Sequence, residues 1–328
     1  MRWRFPSETP MPRCFAVLTL VAAIGLTFGA GAQDTANDPV RNRSDFAPIV
    51  LRVACGGIAK AACAKVVPRL TARTVQAGVN LRPSGSGLAL DTAAAVCTGE
   101  AAAAIVQRDA LALTARLPSC SGRYDVVGRP LYPFYAFLVV KADATFRQLD
   151  DMAGKRLVVT GSPGSGGQIA LGFLLRSNPA LQRSVTVSMG DPAVALAWVA
   201  AGSIDGFFAL DTLDSEMIDQ VRLRVDPRGK PLYAFIDIRP GQEFFRNGDG
   251  AGHCLYRLTA LDFGVGLPVT TVSEDAVMLV ARSSRDNHAK GGPRVADALA
   301  GAIDGAAAAI LADMKSPSDW RPVGTSCQ

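Results

Sequence analysis

The sequence predicts an α/β protein of two lobes joined by two hinge-crossing strands. Strands and helices alternate from Ile49 onward, and the alternation begins afresh at Leu157, after the strongly apolar run Tyr135–Lys141. A further buried strand, Asp275–Ala281, leads to the alanine-rich helix Val295–Met314. Alternation of this kind marks βαβ units and a parallel sheet, here twice over.

The elements follow from local pattern. Ile49–Ala54 is a β-branched strand that ends at Cys55-Gly56-Gly57. Ile58–Arg73 reads as a helix that Pro68 kinks or breaks. Val79–Arg82 is a strand entering the loop Arg82–Gly87, followed by the helical run Leu88–Thr98. Ala101–Val106 is a buried strand ending at Gln107-Arg108-Asp109, and Ala110–Leu117 begins a helix. In the second unit come strand Val158–Thr160, the loop Gly161–Gln168 and helix Ile169–Ser177, then strand Val185–Ser188, helix Ala193–Ala201 and strand Ile204–Leu210. The crossings are Tyr135–Lys141 and Val277–Ala281, so that 46–138 with 280–328 form one lobe and 139–279 the other.

The first 32 residues read as a cleavable export signal. Arg2, Arg4 and Arg13 form the basic region, Cys14–Phe28 an apolar stretch short for a membrane span, and Gly29-Ala30-Gly31-Ala32 a small-residue cleavage site. Residues 33–45 are polar and read as a disordered leader. Without the signal the net charge falls from +5 to about +3 with no dense basic run, which gives nucleic-acid binding no support. No later segment reads as a transmembrane helix. A periplasmic location is expected.

Six cysteines remain, an even number that favours disulfides in an exported chain. Proximity pairs Cys55 with Cys63 and Cys97 with Cys120, leaving Cys254 for Cys327, although about 15 pairings exist in principle. No metal site or cofactor is expected: the two histidines, His253 and His288, lie far apart and no C-x-x-C occurs.

Two glycine-serine loops stand where a strand opens a helix: Ser84-Gly85-Ser86-Gly87 and Ser162–Gln168. Such loops aim backbone N–H groups and hydroxyls at one point and suit an anion. The alternative at each is a tight strand-to-helix turn. The second loop is not a nucleotide P-loop, since Gly167 and Gln168 replace the required lysine and hydroxyl residue. Nor is there a G-x-S-x-G elbow around Ser162 or Ser165, so an enzyme is not expected. Gln107 and Asp109 end a buried strand; the amide can both donate and accept, whereas Asp109 can instead cap the next helix. Tyr132, Phe134 and Tyr135 wall the cleft or pack in the core. Asp211 ends a strand and can meet a ligand hydroxyl or ammonium, or cap a helix over Leu213–Gln220.

The order of these pieces resembles the type II periplasmic binding protein fold, and more narrowly the TAXI family of TRAP-transporter solute receptors. Cys55-Gly56-Gly57 stands where that family has a strand leading into a Gly-Gly loop, and Pro83-Ser84-Gly85-Ser86 is similar to its proline/threonine-glycine-glycine-serine loop. AAAAIVQRD (Ala101–Asp109) resembles its ADLALVQSD strand, Leu149–Val159 its DLKGKRV turn, Gly161–Gly166 its GxxGSG loop, and AAGSIDGFFAL (Ala200–Leu210) its xxGKIDAFF segment. The sequence departs from it at Ile58-Ala59-Lys60-Ala61, where the family has an aromatic pair, and in the insert Gln242–Tyr256. The resemblance implies a monomeric receptor that closes on a small anionic solute, a carboxylate for preference, and delivers it to TRAP-type membrane subunits. The expected ligand contacts are Gly57, Ser84, Gly85, Ser86, Gln107, Asp109, Tyr135, Ser162, Ser165, Gly166, Gln168 and Asp211. A phosphate or oxyanion receptor and a ligandless signalling or structural module are the alternatives.

Overall fold

A computed structural model of the chain describes residues 48–57, 59–85, 87–245, 254–263, 268–289 and 292–314, together with the backbone of 321–326. The expected signal, leader, Ser86 and Cys327 lie outside these residues. In order the chain forms β1 (Ile49–Cys55), α1 (Ala59–Thr74), β2 (Val79–Gly85), α2 (Ala89–Thr98), β3 (Ala103–Gln107), α3 (Arg108–Thr114) and β4 (Tyr124–Lys141). It continues through β5 (Arg156–Thr160), α4 (Gly166–Ser177), α5 (Pro179–Ser184), β6 (Thr186–Gly190), α6 (Pro192–Ala200), β7 (Gly206–Asp211), α7 (Glu216–Leu223) and β8 (Tyr233–Ile236). The last elements are α8 (Gln242–Phe245), β9 (Arg257–Asp262), β10 (Val269–Ala281), α9 (Arg282–Arg285), α10 (Val295–Asp313) and β11 (Arg321–Ser326).

The strands run β2-β1-β3-β10-β4-β7-β5-β6, with β8 on β4, β9 on β10 and β11 on β9. Pairing is parallel within β2-β1-β3 and within β7-β5-β6. Both groups flank β4 and β10, which are antiparallel to each other and to their outer neighbours. The sheet is therefore mixed rather than wholly parallel. Its two halves are linked by the two long strands: β4 pairs with β10 up to Tyr135 and with β7 beyond it, and β10 pairs with β9 over Val269–Ser273 and with β3 over Ala276–Val280.

Both crossings extend further than expected, to 18 residues in β4 and 13 in β10. Gly128, Pro130 and Pro133 hide the first half of β4 from a pattern reading. The strand keeps its pairing by a bulge: Val127 faces Met278 and Tyr132 faces Ala276, so Gly128–Leu131 loop out opposite Val277. Gly128 has φ +69°, and a Cβ there would come within 2.9 Å of Ile303 on α10, so both backbone and packing require glycine.

Three expectations need correction. The helix α1 runs through Pro68 without a break, because Pro68 and Ala64 lie on its exposed face and the carbonyl freed by the proline meets solvent. Pro83-Ser84-Gly85 is strand rather than loop, since Cys55 on β1 carries the parallel register up to Gly85 and β2 is an edge, where proline is tolerated. By length and composition α10 could cross a membrane, with a mean hydropathy of 1.6. It packs instead on α1 and β4, burying Leu299, Ile303, Ala306 and Ile310. The chain also makes a passage that the sequence reading did not include, returning from α10 to place β11 on β9.

Disulfides join Cys55 to Cys63 and Cys97 to Cys120, as proximity favoured. Cys254 is also disulfide-bonded, to a partner outside the described residues. The first bridge ties β1 to α1 and the second ties the end of α2 to the turn Pro118–Cys120.

Candidate functional site

The carboxyl ends of β1, β3, β5 and β7 come together, which is where open α/β sheets bind ligands. The Gly57 N–H donates to the Gly87 carbonyl at 3.0 Å, and the Leu90 N–H to the Gly164 carbonyl at 3.5 Å. The second loop therefore meets the first turn of α2, which follows directly on the first loop. Ser84 is partly exposed and Gly85 faces open space, so neither reaches into the contact.

The Ser162–Gln168 loop is largely occupied with itself. Ser165 is buried and caps α4, its hydroxyl accepting the Gln168 N–H at 3.4 Å, while its own N–H donates to the Ser162 carbonyl. The Gln168 side chain accepts the Gly164 N–H at 2.6 Å. Ser162 is exposed. Glycine at 166 answers to a close approach: a Cβ there would lie 2.2 Å from Oε1 and 2.3 Å from Nε2 of Gln107. The Gln107 amide thus lies over the first turn of α4, a position open to it only because residue 166 has no side chain.

Gln107 belongs to a larger group. Ala276 on β10 is paired with Gln107 on one side and Tyr132 on the other, and residues directly opposite share a sheet face. Glu274, two residues before Ala276, lies on that same face. The Gln107 Nε2, the Tyr132 hydroxyl and the Glu274 Oε1 are buried and have no hydrogen-bond partner among the described residues. So is Asp214 Oδ1, in the turn after β7; this carboxylate and burial both hold the Tyr132 hydroxyl's pKa up. The other Asp214 oxygen pairs with Lys65 of α1. Buried polar groups left unpaired are costly, and three of these, on Gln107, Tyr132 and Glu274, lie on one sheet face around Ala276.

Beneath this face lies an acid cluster. The Asp109 N–H donates to Glu274 at 3.1 Å, and the Asp109 carboxylate accepts from the Ala110 N–H and the Tyr256 hydroxyl. Burial raises the pKa of both acids, Asp109 to about 6 and Glu274 well above its usual value, and the neighbouring Asp109 adds to the rise at Glu274. Asp109 is thus engaged internally rather than offered to the cleft. Arg176, exposed and with its guanidinium 4.4 Å from the Phe173 ring centre, adds a weak favourable field on Asp109.

Tyr135, expected in the site, faces the other way. Its alternation with Phe134 turns it into the cluster of Phe137, Leu213, Ile218, Leu261 and Phe263, and Tyr132 stands at the site instead. On that opposite side Arg257 grips Asp275, with Nη1 donating at 2.6 Å. Asp211 braces its own turn, accepting the Thr212 N–H at 2.9 Å and the hydroxyl of Ser215 at 2.6 Å. The helix it was expected to cap starts later, at Glu216. The sequence reading missed Tyr132's role, Asp214, Tyr256 and Glu274; the available signal was Glu274-Asp275, two acids entering the apolar strand AVMLVA.

Burial raises the Asp211 pKa from 3.8 to about 6. The folded-state value lies above the unfolded one, so the associated stability is present below pH 4 and lost as pH rises through about 6. Asp211→Asn should remove that loss and raise stability at pH 8 by about 1–2 kcal/mol, with little change at pH 4. Urea titrations at the two pH values check this; equal effects at both would contradict it.

No protein-family model and no curated protein matches the sequence. Solved structures do. One is a putative periplasmic sulfonate-binding protein of an ABC transporter from Methylobacillus flagellatus KT, with 17% identity over 79% of this chain and 68% of that one, TM-score 0.48. A second is an amino acid ABC transporter substrate-binding protein from Streptococcus pneumoniae bound to L-arginine, with 14% identity over 81% and 92% of the two chains, TM-score 0.45. A third is an ancestral arginine-binding protein bound to arginine, with 12% identity over 82% and 99%, TM-score 0.48. The order of strands, with two parallel groups bridged by β4 and β10, is itself that of the two-lobed type II periplasmic binding fold.

Proposed function

We propose that this chain is a periplasmic receptor that captures a small organic anion, a carboxylate for preference, and delivers it to TRAP-type transporter subunits. One observation carries the anion reading: the buried, partnerless Nε2 of Gln107 lies against the N-terminal turn of α4. A carboxylate there receives the Gln107 N–H and faces the positive end of a 12-residue helix. The lobes are 46–138 with 280–328, and 139–279, and they close as a monomer by bending of β4 and β10.

A ligandless module is the second reading. It is favoured by the direct Leu90–Gly164 contact and by the hydrogen bonds that the α4 loop makes to itself. A thermal-shift screen of the mature protein against monocarboxylates, dicarboxylates, amino acids, phosphate and sulfate separates the readings. A ligand at 100 times its Kd stabilises by about 2.7 kcal/mol. A shift with carboxylates alone is the expected result. A shift with phosphate or sulfate alone would replace the carboxylate by an oxyanion, and no shift with any probe would favour the module.

A further inference from the structure

The three unpaired groups around Ala276, and Asp214 Oδ1 in the turn after β7, differ in what they can accept and give. Gln107 Nε2 only donates, Tyr132 can do either, and Asp214 Oδ1 only accepts. Glu274 receives the Asp109 N–H on Oε2, which leaves Oε1 as the atom without a partner. Oε1 is thus a carboxyl oxygen open to a ligand's hydrogen. Donors and acceptors are therefore both left open on one small sheet face.

We propose that Gln107, Tyr132 and Glu274 form a subsite for a hydroxyl group, so that the receptor selects short hydroxy-monocarboxylates over their deoxy counterparts and over dicarboxylates. The inference rests on the carboxylate reading above and deepens it. A hydroxyl both donates and accepts: it gives its hydrogen to Glu274 Oε1 and accepts from Gln107 or Tyr132. A methylene in its place leaves those groups unpaired in the complex, the situation that produces strong discrimination against an analogue lacking the hydroxyl. A second carboxylate would be pressed against Asp214, Asp109 and Glu274. Lys65 is already paired with Asp214, and Arg176 is stacked on Phe173. The spacing limits the length of the solute. Gln107 approaches Gly166 with the same amide that borders the subsite, so the hydroxyl and the carboxylate of the solute lie close together.

Calorimetric titration of the mature chain tests this with lactate and 3-hydroxybutanoate, their deoxy counterparts propanoate and butanoate, and the dicarboxylates succinate and malate. At least one hydroxy-monocarboxylate should bind tenfold or more tightly than its deoxy counterpart and than either dicarboxylate. Tyr132→Phe removes a hydroxyl with no partner among the described residues, so the variant should keep its circular dichroism spectrum. Its preference for the hydroxy acid should fall at least threefold. A deoxy acid or dicarboxylate bound as tightly as the hydroxy acid, or a preference unchanged in Tyr132→Phe, overturns the subsite while leaving the carboxylate receptor standing. Binding of none of the six overturns both.

Discussion

Replacing Tyr256 with alanine is expected to destabilise the fold by about 4 kcal/mol. The ring is about 1% exposed, stands edge-on to Phe173 at 5.8 Å and tilts over Phe244 at 4.7 Å. Its loss opens a cavity that these neighbours cannot fill. It also removes the hydroxyl donated to Asp109, leaving a buried carboxyl group with one donor fewer. Tyr256→Phe isolates the second effect and should cost about 1–3 kcal/mol. Urea denaturation of the three proteins measures both; equal losses in the two variants would mean that the ring contributes nothing beyond its hydroxyl.

The double substitution Cys97→Ser, Cys120→Ser is expected to cost about 3 kcal/mol. The bridge closes a loop with a sequence separation of 23 and holds the end of α2 against the turn after α3. Both residues are buried, so the serine hydroxyls gain no solvent in compensation. A melting temperature within a degree of the parent would show that packing of α2 on α3 already fixes this geometry.

The alternation of elements was legible because each βαβ unit sets its own period, and the two crossings because YAFLVVK and DAVMLVA are too apolar for an edge. What stayed hidden was long-range. Alternation puts Tyr132 and Tyr135 on opposite faces, but which face meets Gln107 depends on the pairing of β4 with β10, which no local pattern reveals. Strand β9, RLTALD, begins on a charge that only Asp275 on the neighbouring strand explains. Gln107 was legible as a strand-end residue, but its meeting with Gly166 depends on the approach of the two halves. Asp109 and Asp211 were legible as polar strand ends, and their partners Tyr256, Glu274 and Ser215 were not, since a carboxylate's preference for solute or protein is decided by the groups folded against it.

Strand β3 has β1 on one side and β10 on the other, and its neighbour Asp109 meets Glu274 across a sequence separation of 165. The groups β2-β1-β3 and β7-β5-β6, by contrast, are each drawn from one continuous stretch, Ile49–Gln107 and Arg156–Asp211. Loop-closure entropy must be overcome before distant pairings contribute, so the two groups should assemble before β10 joins β3. Refolding from urea is then expected to be slow and ordered: amides of β5 and β7 should gain protection from hydrogen exchange while those of β10 that face β3 remain open. During that interval the β10-facing edge of β3, AAIVQ, is an unpaired apolar edge, and aggregation at high protein concentration should begin there.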